Sequence, residues 1–261
     1  MPASFFPFPA PIRPVHCLNG ARRRPLLLVC DHASPLVPPD LDGLGLPEAE
    51  RLRHIGWDPG AAALTAALAR RLRAPALLAG VSRLVIDCNR PPGHPTSICA
   101  ESDGTAIPGN QGLDAAARRR RAAAWYEPYH QAIAAELARL ESEGGSAALV
   151  AVHSFTPCLN GGAPRPWPVG VLWNRDGRLA LPLIRALRGQ GLHCGDNEPY
   201  SGRVANHTLD RHAQAAGRLH VSLEIRQSDL AEQAQIAAWA DCLAALLEHA
   251  LAEAGLADCA E

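Results

Sequence analysis

The sequence carries almost no excess charge: its formal net charge is -1 and its pI is near 6.8. That removes the electrostatic reason to expect a nucleic acid or an anionic membrane as partner. Arginine runs do occur at Arg22 to Arg24 and Arg118 to Arg121, the second in a helical stretch where it reads as a solvated face. No apolar run approaches the roughly 18 residues of a membrane span. The opening Met1-Pro2-Ala3-Ser4-Phe5-Phe6-Pro7 lacks a basic segment and prolines interrupt its apolar residues. It does not read as a signal peptide, and a cytoplasmic location is expected. The eight cysteines (17, 30, 88, 99, 158, 194, 242 and 259) include no C-x-x-C pair, which argues against a disulfide framework or a structural zinc and for reduced thiols. Also missing are G-x-G-x-x-G after a strand, G-x-x-x-x-G-K-[ST] and G-x-S-x-G, so neither a nucleotide site nor a serine hydrolase is indicated.

What is present is apolar residue in quantity. At 261 residues and 48% apolar the chain can bury a sizeable core, and one domain is expected. Residues 1–24, with prolines at 2, 7, 9, 11 and 14, read as an extended arm before a domain over 25–261. Strand-like runs at 25–30, 147–152 and 219–223 alternate with helical stretches at 58–73, 113–143, 178–188 and 230–254. A short helix over 48–54, a strand pair at 76–79 and 83–87 and strands at 169–173 and 192–195 complete the pattern. It predicts an α/β fold, a single domain with a mixed, mostly parallel sheet and helices on both faces. The polar stretch 89–112 is too long for a simple connector and reads as part of a site wall.

Three of the apolar runs end alike. Leu26 to Val29 empties into Cys30-Asp31-His32-Ala33-Ser34, the run to Val152 into His153-Ser154, and the run to Leu223 into Glu224-Ile225-Arg226. Ligands of open α/β sheets sit beyond the carboxyl ends of the strands, and histidine with carboxylate is the donor set of a catalytic zinc. Each residue has a plainer reading beside the functional one. His32 and His153 are metal ligands or hydrogen-bonded strand-end histidines. Asp58, before Pro59, is a ligand or a helix N-cap. Glu224 is a general base or the ion-pair partner of Arg226. Arg83, Asn89 and Arg90 hold a substrate carboxylate or pair structurally with Asp87. Two-residue alternation puts Cys30 on the side of His32, as a thiolate ligand or a buried structural cysteine.

Seven motifs in order, from Asp31-His32-Ala33-Ser34 through His54-Ile55-Gly56-Trp57-Asp58-Pro59-Gly60-Ala61, Ser82 to Pro91, Ser102-Asp103-Gly104-Thr105, His153-Ser154-Phe155-Thr156-Pro157 and Gly195 to Gly202 to Glu224-Ile225-Arg226-Gln227, resemble the N-formylglutamate amidohydrolase family over about residues 25–250. The resemblance implies a fold similar to the zinc-dependent exopeptidases. It implies one Zn2+, or another divalent ion, held by His32, Asp58 and His153, with Glu224 as general acid/base. Asn89-Arg90 then looks like the pair with which zinc carboxypeptidases hold a carboxylate, with Arg83 and Arg226 as further substrate-binding groups. The implied activity is removal of a formyl or other small acyl group from an N-acylated acidic amino acid. Alternatives are a carboxypeptidase-like hydrolase, a deacylase of another N-acyl amino acid, and a non-catalytic metal-binding homologue. The expected partner is a small molecule, with no nucleic acid and no membrane, in a monomer or small homo-oligomer.

Overall fold

A computed structural model describes residue 8 and residues 11–18, 25–204 and 206–256. The expectations for residues 1–7, 9, 10 and 19–24, including the Arg22 to Arg24 run, and for Cys259 lie outside these.

The apolar runs pair into a seven-stranded sheet in the order β1 (Val15–Leu18), β3 (Ala76–Ala79), β2 (Leu26–Cys30), β6 (Ala148–Phe155), β9 (His220–Arg226), β7 (Val169–Leu172) and β8 (Cys194–Asp196). Only the β1–β3 and β7–β9 pairs are antiparallel. The predicted mixed, mostly parallel sheet is thus present, and the part of the arm at 15–18 is corrected: it pairs along β3 as an edge strand. The central strands β2, β6 and β9 are buried at every position except Arg226 because helices cover both faces, and their polar residues gather towards the strand ends. Leu26, Leu28 and Val150 pack towards α2 (Ala61–Arg71), α5 (Ala180–Gly189) and α7 (Gln233–Glu253). Leu27, Val29 and Leu149 pack towards α4 (Glu127–Gly144) and α6 (His207–His212). The remaining helices are α1 (Glu48–Arg51) and α3 (Ala115–Arg121).

Two other expectations are corrected. Residues 83–87 form no strand. The Ser82 hydroxyl accepts from Leu84 N at 3.1 Å and donates to Gly56 O at 2.7 Å, which coils the chain into a turn. Leu84, Val85 and Ile86 then pack in a separate cluster with Ile98, Ile107 and Tyr126, away from the sheet. The helix expected over 113–143 is interrupted by a π turn at Ala122–Tyr126. Pro128 has no N–H to give to an i−4 carbonyl, and just before it Glu127 N reaches back five residues to Ala122 O. The long stretch 89–112 contains a hairpin, β4 (Glu101–Ser102) with β5 (Thr105–Ala106), that stands beside the carboxyl ends of the central strands.

Candidate active site

The carboxyl ends of β2, β6 and β9 open into a cavity of about 400 Å³. The chain turns immediately after β2, so His32 leaves the sheet while Cys30 stays in the core against α2. That turn breaks the alternation that placed the two on one side, and Cys30 is not part of the donor group. His153 lies within β6, in register with Glu224 on the neighbouring parallel strand β9. Asp58 precedes α2, its N–H fixed on His32 O at 2.9 Å. Its carboxylate does not cap the helix, a correction to the N-cap reading. Gly60, at φ +83, takes the N-cap position, and a Cβ there would stand 2.5 Å from Leu230 Cβ. The Asp58 side chain turns to the histidines, with Oδ2 2.9 Å from His153 Nδ1 and 3.3 Å from His32 Nδ1. One donor atom from each of His32, Asp58 and His153 lies within 4.8 Å of the other two, and all three residues are buried.

Each imidazole is held from behind. His32 Nε2 is 2.8 Å from Asp87 Oδ1, and His153 Nε2 is 3.2 Å from Asp31 Oδ2. Asp87 is fixed in turn by Arg83 at 2.7 Å and by Asn89 N at 2.8 Å. Asp31 accepts from Tyr129 Oη at 2.8 Å and Thr208 Oγ1 at 2.9 Å. A carboxylate behind each ligating imidazole fixes its tautomer and increases its basicity, the usual support of a protein metal site. Two neutral-capable imidazoles and a carboxylate, with a further carboxylate hydrogen-bonded to His32 Nε2 and another 3.2 Å from His153 Nε2, therefore fit a divalent cation with nitrogen and oxygen preferences such as zinc.

The charges are strongly polarised. Against burial, which pushes it up, the bond and charge of His153 hold the Asp31 carboxyl down at about 2. Asp58 is likewise held below its ordinary value, against burial, by His32 and His153, and Asp87, against burial, by Arg83 and His32. Burial would lower the His153 pKa, but its bonds to Asp31 and Asp58 raise it. Glu224 goes the other way. Burial, aided by Asp58 and opposed by His153, pushes its carboxyl up to about 7, and its Oε2 is buried with no hydrogen-bond partner among the described residues.

The structure brings together His32, Asp58, His153, Glu224, Arg83, Asn89 and Arg90 around one cavity. It does not bring Arg226, which is turned to Asp229 at 2.9 Å and is absent from the cavity wall. Arg226 is therefore corrected as a substrate-binding group and is also not the partner of Glu224. Arg83 lines the cavity but is engaged with Asp87 and stands 3.6 Å from Asp58. Asn89 Oδ1 accepts from Thr208 N at 3.0 Å, which leaves its amide donors for the cavity. Among the described residues Arg90 Nη1 is bonded only to Asn89 O, at 2.8 Å. Sequence reading missed Asp31, Tyr129, Thr208 and Tyr200. Asp31 had a signal in its place beside His32 at a strand end. Tyr129 and Thr208 had none, being 98 and 177 residues away from Asp31 along the chain.

Together the sheet and the charged cluster at its strand ends define a hydrolase on an α/β scaffold, with a buried carboxylate facing a ready cation-binding group. The particular family follows from comparison. A family model described as N-formylglutamate amidohydrolase matches residues 24–231, and the chain belongs to that family. It is 32% identical over 239 residues to an N-formylglutamate deformylase of Pseudomonas aeruginosa, covering 84% of this chain and 87% of the relative. Among solved structures it resembles the gene product Atu2144 of Agrobacterium tumefaciens, with a TM-score of 0.89 and 36% identity over 92% of this chain and 95% of that one. An N-formylglutamate amidohydrolase from Ralstonia eutropha shares the fold, with a TM-score of 0.67 and 24% identity over 92% of this chain and 97% of that one.

Proposed function

We propose that this chain is a zinc-dependent amidohydrolase that removes the formyl group, or another small acyl group, from an N-acylated acidic amino acid such as N-formylglutamate. The observation that carries the reading is Glu224, a buried carboxyl with one oxygen unpartnered among the described residues, in register beside His153 and on the cavity that Asp58 also lines. A group with that placement and a pKa pushed up to about 7 is suited to shuttle a proton near neutral pH. His32, Asp58 and His153 are the residues that would hold the zinc. When bound, zinc supplies Lewis acidity for the amide carbonyl and for water, whose pKa such sites bring towards about 7.

The chain's own groups do the rest. Glu224 takes a proton from the attacking water and returns it to the amide nitrogen as the carbon–nitrogen bond breaks. Asn89 offers its amide N–H donors, oriented by Thr208 N, and Arg90 its guanidinium, and together they hold the α-carboxylate. Asp31 and Asp87 keep the two imidazoles aimed at Asp58.

Glu224→Gln tests the proposal. It keeps size and removes the basic oxygen, so zinc content and melting temperature should hold while kcat on N-formylglutamate falls by about 10²- to 10⁴-fold. A kcat within a few-fold of the parent would show that Glu224 is not the proton shuttle. Arg90→Lys keeps the charge and loses the bidentate fork. It should raise KM with zinc content unchanged, and an unchanged kcat/KM would remove Arg90 from the carboxylate site.

A further inference from the structure

An acidic substrate brings two carboxylates, and the residues assigned above hold one. The chain contains no lysine, so the cationic side chains open to a second carboxylate are arginine and histidine. Most cationic groups near the cavity are already engaged. Arg83 is bound to Asp87 and Arg53 to Glu50 and Asp103, while His54, 3.3 Å from Asp103 without a hydrogen bond, is held towards its neutral form by burial.

Arg165 is different. Its guanidinium lies over the Tyr200 ring at 4.8 Å and 5.8 Å from the Phe155 ring centre, and both rings line the cavity. Nη1 is anchored on neutral oxygens, Thr156 O at 3.1 Å and Tyr200 Oη at 3.0 Å. Among the described residues Arg165 has no carboxylate partner, and no bond engages its Nε or Nη2. An arginine held against aromatic rings loses less side-chain freedom when its remaining N–H groups bind a planar anion. Its charge reaches the cavity: burial lowers the His54 pKa and, against Asp103, the charges of Arg53, Arg83 and Arg165 lower it further. Asn89 and Arg90 follow Asp87, the support of His32, whereas Arg165 rests on Phe155, two residues beyond His153 on the same strand. Arg165 does not itself line the cavity; it stands against two rings that do, and on a different element from Asn89 and Arg90.

Resting on the amidohydrolase reading, we infer that Arg165 is the specificity-determining residue for the side-chain carboxylate of the substrate. It binds the distal carboxylate at the rim while Asn89 and Arg90 bind the proximal one.

The test is the ratio of kcat/KM on N-formylglutamate to that on N-formylglutamine, two substrates that differ only in the distal group, a carboxylate in one and a neutral amide in the other. The parent should favour the acid. Arg165→Gln should lower the ratio about ten- to hundredfold, the size of a lost charge-assisted hydrogen bond, with zinc content unchanged. Arg165→Lys, which keeps the charge and loses the fork, should give a smaller drop and carries the test if the glutamine variant does not fold. If either folded variant keeps the parent's ratio, Arg165 is not the selector, while the amidohydrolase reading stands. If the parent hydrolyses neither substrate, that reading falls and this inference falls with it.

Discussion

Asp87 shows how much one side chain is asked to do. Its Oδ1 accepts from Asn89 N and supports His32 Nε2, and its Oδ2 accepts from Arg83. Asp87→Asn keeps an oxygen for one of these neighbours and sets an N–H₂ against another donor. Zinc affinity should therefore fall by about 10- to 100-fold, the usual cost of removing a support behind a metal ligand. Competition with a chelator measures it, and an unchanged affinity would mean that His32 keeps its orientation without Asp87. At this scale the sequence is informative about donors and poor on direction. His32, His153 and Glu224 are legible because each ends an apolar run. Asp58 is legible only as an acid before a proline, since whether its carboxylate turns to helix N–H groups or to two distant histidines depends on contacts 26 and 95 residues away.

Among the elements, α6, six residues long, touches the site at two points. Its Thr208 gives a hydroxyl to Asp31, which supports His153, and its backbone N–H to Asn89, which faces the cavity. The two bonds can be separated. Thr208→Val keeps the shape and the N–H and removes the hydroxyl, so metal affinity should drop while KM for the acidic substrate stays near the parent value. Stability should fall by about 1–3 kcal/mol, because a buried carboxylate loses a donor. A chelator titration, a melting curve and KM on one preparation would decide it, and unchanged metal affinity would disconnect α6 from the metal group. Strands and long helices were readable because both-face burial leaves continuous apolar runs. Residues 84–86 carry the same composition and coil instead, since a serine hydroxyl and a separate apolar cluster, neither visible in a periodicity, decide their path.

At the level of the whole molecule, pH acts through a pair of histidines that join two helices behind the site. His130 on α4 and His212 on α6 are 2.8 Å apart, Nδ1 to Nε2. His130 Nε2 is 2.9 Å from Cys88 O, a carbonyl that can only accept, so His130 Nε2 carries the proton. Its Nδ1 is then the acceptor, and His212 Nε2 is the donor. A second proton on His130 would set N–H against N–H. Burial is the main cause that lowers His130 to about 3 and His212 to about 4. Both are thus depressed below the ordinary 6.5, so in this range the unfolded chain binds more protons than the folded one. Stability is complete above about pH 6.5 and is lost as pH falls from there towards 4. The aspartates add to this only lower down, because Asp31, at about 2, gives up its contribution as pH drops below its ordinary 3.8. Glu224, raised to about 7, opposes the loss between that value and its ordinary 4.5, and does so equally with or without His212. His212→Gln keeps an N–H donor for His130 and cannot titrate. Denaturant unfolding of both proteins between pH 7 and 4.5 should give a steeper loss for the parent, by up to one proton in the slope. Protonation of His32 and His153, the proposed cation-binding histidines, acts on both curves alike, so the difference between slopes reads the helix pair alone. Parallel curves would mean that the His130–His212 contact does not set the acid limit of the fold.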